Sequence, residues 1–359
     1  MKLIIFGAGA SYYSLHTKYN SNSSENELWK PPLANEIFSN RVNFIEILKN
    51  FDGAMSLKSQ AILHPDLEEY FQELWDFAND NNDNLSFAKI INTQYFLQKL
   101  FMSISDQYGN LGDSNYDVIS NFANNYSICK KSEILFVSFN YDILLERALE
   151  RVLKIKFNSI DDYLKYNIKY IKPHGSCNWF RNFGRRIGKG SIGSITGINP
   201  EFFTKKLYEG STSYEIIEQN LNEEFVLRNQ FNTNEHFGLP QLLIPIKNKD
   251  EFVLPPNHFE YLENYLEKVE EILIIGWKGT EEKFKNVLRN KLKDKNVNII
   301  AITNGDKTII SQIRDVIPNS KISLYSYKPS IDYKGNTDTF TNFIKTQILQ
   351  RNSPTFFFK

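Results

Sequence analysis

Apolar residues in this chain fall into two rhythms. Short, largely apolar runs rich in β-branched residues occur at Lys2 to Phe6, Ile134 to Phe139, Ile168 to Ile171, Leu242 to Ile246, Ile272 to Ile275, Val297 to Thr303 and Ile322 to Tyr325. Runs of that length and composition predict strands buried on both faces, as in a parallel sheet. Between them lie segments with apolar residues three and four apart. These predict helices over Ala34 to Leu48, Asp66 to Ala78, Phe87 to Ser105 and Tyr116 to Tyr126. After the second run, Leu144, Leu145, Ala148, Leu149 and Val152 share one helical face, and further helices are expected over Asn257 to Lys268, Glu281 to Lys293 and Lys307 to Val316.

Strands alternating with helices of this length imply an α/β fold, a Rossmann-like parallel sheet with helices on both faces. Four helical segments separate the first two strands, so a helical insertion spans about 28–127. A polar Asn/Ser-rich loop from about Lys18 to Glu27 leads into it. The pattern from about 180 to 240 is mixed and reads as a variable insertion. The whole, 1–359, is read as one domain.

Composition narrows the classes. Lys plus Arg and Asp plus Glu both number 42, so the basic excess that drives non-specific attraction to nucleic acid is missing, and no direct nucleic-acid binding is expected. With 28 Phe and 19 Tyr, the core should be rich in rings. Cys129 and Cys177 are far apart, so two cysteines can form neither a disulfide framework nor a four-cysteine zinc site, and no metal is expected. The apolar run at the N-terminus is too short for a signal-peptide core and no stretch approaches a membrane span, which predicts a cytoplasmic protein.

Open parallel sheets bind ligands beyond the C-terminal ends of their strands. That rule places the candidate chemistry on Gly7 to Ser11, Asn140, His174, Gly276 and Asn304. The turn Gly7-Ala8-Gly9-Ala10-Ser11 follows a strand and opens a helix, where small residues let backbone N–H groups approach a pyrophosphate. Tyr12 occupies the third glycine position of the dehydrogenase fingerprint, and no acidic strand end follows at the usual distance, which disfavours hydride transfer. Asn140 and Asp142 offer a carboxamide and a carboxylate at a strand end. Either could hold a ribose or an amide, or simply cap the following helix. His174, between Pro173 and Gly175, can orient a hydroxyl or accept a proton, and His16, His64, His236 and His258 have no comparable setting. A second glycine pattern, Gly188 to Gly193, follows Arg185-Arg186 with no strand before it and reads as a basic surface loop.

Taken in order, Gly7-Ala8-Gly9-Ala10-Ser11, Pro31-Pro32-Leu33, Pro65-Asp66-Leu67-Glu68-Glu69-Tyr70-Phe71, Ser138-Phe139-Asn140-Tyr141-Asp142 and Pro173-His174-Gly175-Ser176 resemble the sirtuin-like domains of bacterial anti-phage defence proteins. The resemblance covers nearly the whole chain. It implies that Gly7, Ala8, Gly9, Ala10 and Ser11 hold the NAD pyrophosphate, that Asn140 and Asp142 line the nicotinamide and ribose site, and that His174 acts on the ribose. Ile275-Gly276-Trp277 is similar to the family's later glycine turn, and Thr303-Asn304-Gly305-Asp306 to its adenosine-ribose segment. The four-cysteine zinc ribbon and the Phe-Arg cofactor loop of deacylating sirtuins are absent from this sequence, which has Pro31-Pro32-Leu33-Ala34-Asn35 in the loop. The resemblance therefore implies NAD as substrate of a glycohydrolase that depletes the cell's cofactor. It also implies control by self-assembly into a homo-oligomer or by a separate partner subunit, such as a helicase-type ATPase or a sensor protein. The alternatives are a non-catalytic module binding NAD or ADP-ribose, and an NAD-dependent deacylase.

Overall fold

β1 (Lys2–Phe6) is buried along its whole length and is flanked on both sides by parallel neighbours, β2 (Ile134–Ser138) and β8 (Glu271–Ile275). The computed structural model containing it describes residues 1–14, 28–109, 114–186, 214–216, 226–228, 235–244, 252–304, 307–326 and 338–349. The sheet continues through β3 (Ile168–Ile171) on one side, and through β9 (Asn298–Ile302) and β10 (Lys321–Tyr325) on the other. Its order is β10-β9-β8-β1-β2-β3, with every pairing parallel. Counted along the parallel strands alone, this is the 3-2-1-4-5-6 order of doubly wound dinucleotide-binding folds. The chain runs outward from β1 through β2 and β3, then crosses to β8 on the other side. The order therefore reverses between β1 and β8, and a crevice opens there.

Alternation along the strands builds the two layers. Leu3, Ile5, Leu135, Val137, Ile272, Ile274 and Ile299 enter one core, which is closed by α8 (Pro256–Leu266), α9 (Glu282–Leu292) and α10 (Thr308–Val316). Ile4, Phe6, Ile134, Phe136, Leu273 and Ile275 enter the opposite core. Each such side chain contributes roughly 1.5–3 kcal/mol by leaving water. The second core is closed by the helices between β1 and β2, by α7 (Leu144–Leu153) and by α11 (Thr339–Phe343). It is ring-rich as expected, with Phe6 edge-on to both Phe136 and Tyr116.

After the short α1 (Ala8–Tyr12), the helices between β1 and β2 are α2 (Val42–Leu48), α3 (Asp52–Leu63), α4 (Leu67–Asp80), α5 (Asn84–Gly109) and α6 (Asn115–Lys130), preceded by a 3-10 turn at Ala34–Glu36. Local chemistry sets their starts. Asp66 Oδ1 accepts from the N–H groups of Glu68 and Glu69 at 2.9 and 3.4 Å to begin α4. Ser114 and Asp117 satisfy each other's backbone N–H groups to begin α6.

Three sequence expectations need correction. The helix predicted over Ala34 to Leu48 is a 3-10 turn followed by α2, and α3 was not anticipated. Of the strand expected at Leu242 to Ile246, Leu242, Leu243 and Ile244 do not join the parallel sheet, and residues 245 and 246 lie outside the described residues. Instead β7 (Glu235–Leu242) pairs antiparallel with β4 (Gly175–Arg186) and β6 (Val226–Arg228), and β5 (Tyr214–Ile216) pairs with β4. A buried apolar run carries the same pattern in either kind of sheet, so periodicity could not separate them. A strand does precede the second glycine pattern, since Arg181 to Arg186, within the segment read as a variable insertion, belong to β4; the Gly188 to Gly193 pattern itself lies outside the described residues. Among the described residues no helix is long and apolar enough to cross a membrane.

Candidate active site

The register aligns the strand ends: Phe6 lies level with Ser138 and Ile275, and Ile275 with Ile302. Everything that follows those residues projects beyond one rim of the sheet. At the switch point, two glycine turns interlock. Gly7 N–H donates to the Ile275 carbonyl at 3.0 Å and Gly9 N–H to the Gly276 carbonyl at 3.3 Å. A Cβ on Gly7 would lie 2.5 Å from the Gly276 carbonyl oxygen. Gly276, at φ +62°, would bring one equally close to the Ala10 nitrogen. Both positions are thus confined to glycine by close approach, and Gly276 also by its left-handed backbone. The amides of Gly7, Gly9 and Ala10 all have backbone acceptors. What the turns offer a ligand is therefore mainly a wall free of side chains.

Asn140 locks this wall to β2. Its Nδ2 donates to the Gly7 carbonyl at 3.0 Å and to Ser11 Oγ at 2.9 Å, with the Tyr116 hydroxyl at 3.2 Å. A carbonyl can only accept, so the contact with Gly7 fixes which end of the carboxamide faces the turn, and Oδ1 is the opposite end. Ser11 Oγ also lies 2.8 Å from the Tyr116 hydroxyl. Burial holds Tyr116 well above the usual phenol range, so that hydroxyl keeps its proton.

The capping alternative separates the two residues. The Asn140 carboxamide hydrogen-bonds the turn after β1 and Tyr116, whereas Asp142 Oδ1 accepts from Leu144 N–H at the start of α7 at 3.2 Å. Asp142 is buried, and burial raises its carboxyl above the ordinary range while the Lys172 ammonium draws it back down. Behind it, Lys172 donates to the Asp142 carbonyl at 2.6 Å, to Glu146 Oε1 at 2.7 Å and to Ser176 Oγ at 2.7 Å. Sequence reasoning passed over this network. The one available signal was a lysine closing an apolar strand, directly before Pro173-His174.

His174 follows β3. Its ring packs edge-on to Phe139 with centroids 4.9 Å apart, and Phe139 in turn stacks on Trp277 at 5.6 Å and 8°. The His174 carbonyl accepts from Leu243 N–H at 2.8 Å, which ties the loop to the antiparallel sheet. Gly175, at φ +75°, lets the chain turn back into β4.

A cavity of about 500 Å³ opens between these elements, a size usual for sites that enclose small molecules. Gly7, Ala8, Gly9, Ser11, Asn140, Asp142, His174, Gly276 and Asn304 all line it. Ala10 does not: its methyl packs into the core. Gly305 and Asp306 lie outside the described residues. Two wall segments come from the helical region, Pro31 to Asn35 and Pro65, Asp66 and Glu68. Other groups were not foreseen as site residues. Glu281, the residue before α9, accepts a hydrogen bond from Trp277 Nε1 at 2.5 Å. Tyr13, Thr339 and Phe340 line the cavity as well.

No family model matches the chain, and neither does any curated protein. Solved structures do match. One is a Sir2 homologue in complex with NAD, at 13% identity and TM-score 0.39, covering 89% of this chain and 83% of that one. Another is a serine-to-alanine Sir2 homologue mutant in complex with ADP-ribose, at 12% identity and TM-score 0.36, covering 90% and 85%. At these scores the likeness adds nothing to the fold already given by the strand order.

Proposed function

We propose that this chain is an NAD glycohydrolase that cleaves the bond between nicotinamide and ribose. The observation that carries the reading is that one cavity, at the reversal point of a doubly wound sheet, collects nine of the ten residues singled out from the sequence. The motifs on which the resemblance rests also meet there, including Pro31 to Asn35 and Asp66, which are distant in sequence.

The nicotinamide–ribose bond breaks with oxocarbenium-like charge on the sugar, and the pyridinium departs as a neutral molecule. No acid is needed at the leaving group. The protein must supply a fixed pose, groups that favour a cationic sugar and a placed water. In this reading the interlocked glycine turns let the pyrophosphate lie against the sheet edge, and Asn304 serves the adenosine ribose. Asn140 presents Oδ1 to the nicotinamide ribose or the water. Asp142 holds the nicotinamide amide or opposes the sugar's charge. His174 bonds a ribose hydroxyl and assists water attack. Release of ADP-ribose would deplete the cell's NAD, consistent with a role in anti-phage defence. An activity so costly to its host would be held latent by assembly or by a partner subunit.

One observation favours a second reading. Both hydrogens of the Asn140 carboxamide are engaged by Gly7 and Ser11, as suits a non-catalytic module in which Asn140 only braces the turn. The assay is nicotinamide release from NAD, with and without an acyl-lysine peptide. Release without peptide is expected. Release only with peptide would make the chain a deacylase, and saturable NAD binding without release would make it a binding module.

A further inference from the structure

Lys172 and Glu146 are buried, at 0% and 3% exposure, and they meet from different elements, the residue just past β3 and the third residue of α7. The ammonium has three protons and three acceptors: Glu146 Oε1, the Asp142 carbonyl and Ser176 Oγ. Glu146 is completed by the hydroxyls of Tyr163 on Oε1 at 3.3 Å and Tyr170 on Oε2 at 3.2 Å. A buried ion pair gives little net stability over an apolar pair of the same shape, because desolvation offsets the attraction. The partners this one chooses are therefore more informative than its strength. Asp142 ends the Asn140-Tyr141-Asp142 segment, Ser176 follows the Pro173-His174-Gly175 segment, and a main-chain bond from Cys177 N–H to the Tyr141 carbonyl at 2.9 Å runs beside them.

We propose that Lys172 and Glu146 are the positioning residues of the site: the ammonium, held by Glu146, fixes the segment presenting Asn140 and Asp142 against the segment presenting His174. Neither touches the substrate in the mechanism given above. Its consequence for turnover rests on the glycohydrolase reading; its consequence for the two segments does not.

The variant to compare with wild type is Lys172→Met/Glu146→Gln. It removes both charges and keeps a hydrogen-bond partner for each of Tyr163 and Tyr170, the amide oxygen accepting from one hydroxyl and the amide nitrogen donating to the other, whereas Lys172→Met alone would strand a buried carboxylate and lower Tm. Two readouts are needed, hydrogen exchange of the Ile143 and Cys177 amides and kcat for nicotinamide release. In the native protein Ile143 N–H donates to Ser105 Oγ at 3.1 Å, and Cys177 N–H to Tyr141. In the double variant both amides should exchange at least about tenfold faster while β1 and β8 keep wild-type rates. The kcat should fall by roughly 100-fold or more, with a smaller change in KM. Unchanged exchange at Ile143 and Cys177, or a rise shared equally by β1 and β8, would overturn the positioning role, as would wild-type kcat in the double variant. A wild type that releases no nicotinamide would instead count against the glycohydrolase reading, and the exchange comparison would still decide the proposal.

Discussion

The two sides of the cavity are built on opposite principles. The β1–β8 side is main chain: two glycine turns in mutual contact, with backbone groups satisfied by each other and no room for a side chain. The β2–β3 side is side chain: Asn140, Asp142 and His174, backed by a buried lysine and glutamate. The first has the character of a surface against which a ligand can lie closely, the second that of a surface able to act on it. A change on the first should act through shape and on stability and binding together. A change on the second can remove chemistry while the fold stands.

The sharpest way to break this contrast is Gly276→Ala. The new methyl would meet the backbone of Gly9 and Ala10 from a left-handed conformation, so the two turns must separate. A loss of about 3 kcal/mol or more is expected, seen as a fall in Tm, together with loss of NAD binding. A stable Gly276→Ala protein with normal NAD affinity would show that the turns are not packed as described.

Asn140→Asp probes the seam between the two sides. It puts a carboxylate oxygen where Nδ2 now faces the Gly7 carbonyl, replacing a donor with a repulsive acceptor. A fall in kcat of roughly 100-fold or more is expected, with some loss of stability. Asn140→Ala, which removes the amide without introducing a charge, should lose turnover with a milder stability cost. Equal activity in all three proteins would reduce Asn140 to a brace.

The side-chain wall also predicts a pH dependence. Burial raises the Asp142 carboxyl, so protonation sets in above the ordinary aspartate range. If the ionised form opposes charge on the sugar, kcat falls as pH drops through that raised value. Asp142→Asn should be slower and should lose that acid limb, and a pH–rate profile in both proteins would reveal it.

Outside the site, His258 gives the smallest and cleanest expectation. Its ring is buried with Tyr163 and Trp179 as neighbours, and burial pushes it down to about 4 from 6.5. Below pH 6.5 the unfolded chain binds a proton that the folded one refuses, so stability is present above that pH and is lost as pH falls toward 4. The loss is at most about 3 kcal/mol. A replacement that cannot titrate, His258→Gln, should flatten that part of the stability–pH curve, whatever its cost at neutral pH.

The contrast between the two sides also explains what could be read from sequence. Glycines that admit no side chain and strands buried on both faces leave direct marks, so β1, the turn after it and Gly276 were legible. Asn140 and His174 were legible because each stands just beyond an apolar run. Lys172 and Glu146 were not, because a buried ion pair exists only once β3 and α7 meet, and a glutamate beside Leu145 and Leu149 looks like the edge of an apolar face. The Pro31 to Asn35 and Asp66 walls were marked by the family resemblance, but nothing local said they would reach the cavity. α3 was missed because its small and polar residues, Gly53, Ala54, Ser56, Ser59 and Ala61 among them, give no clear apolar stripe.

The central claim is that the β2–β3 wall cuts NAD held against the β1–β8 wall. It is tested most directly by measuring nicotinamide release at saturating NAD for wild type and His174→Ala over a wide range of protein concentration, with NAD binding measured for both. The account predicts release by the wild type, release abolished in His174→Ala, and NAD binding retained in both. Full activity in His174→Ala would contradict the site assignment, and silence of the wild type at every concentration with NAD bound would contradict the hydrolase itself.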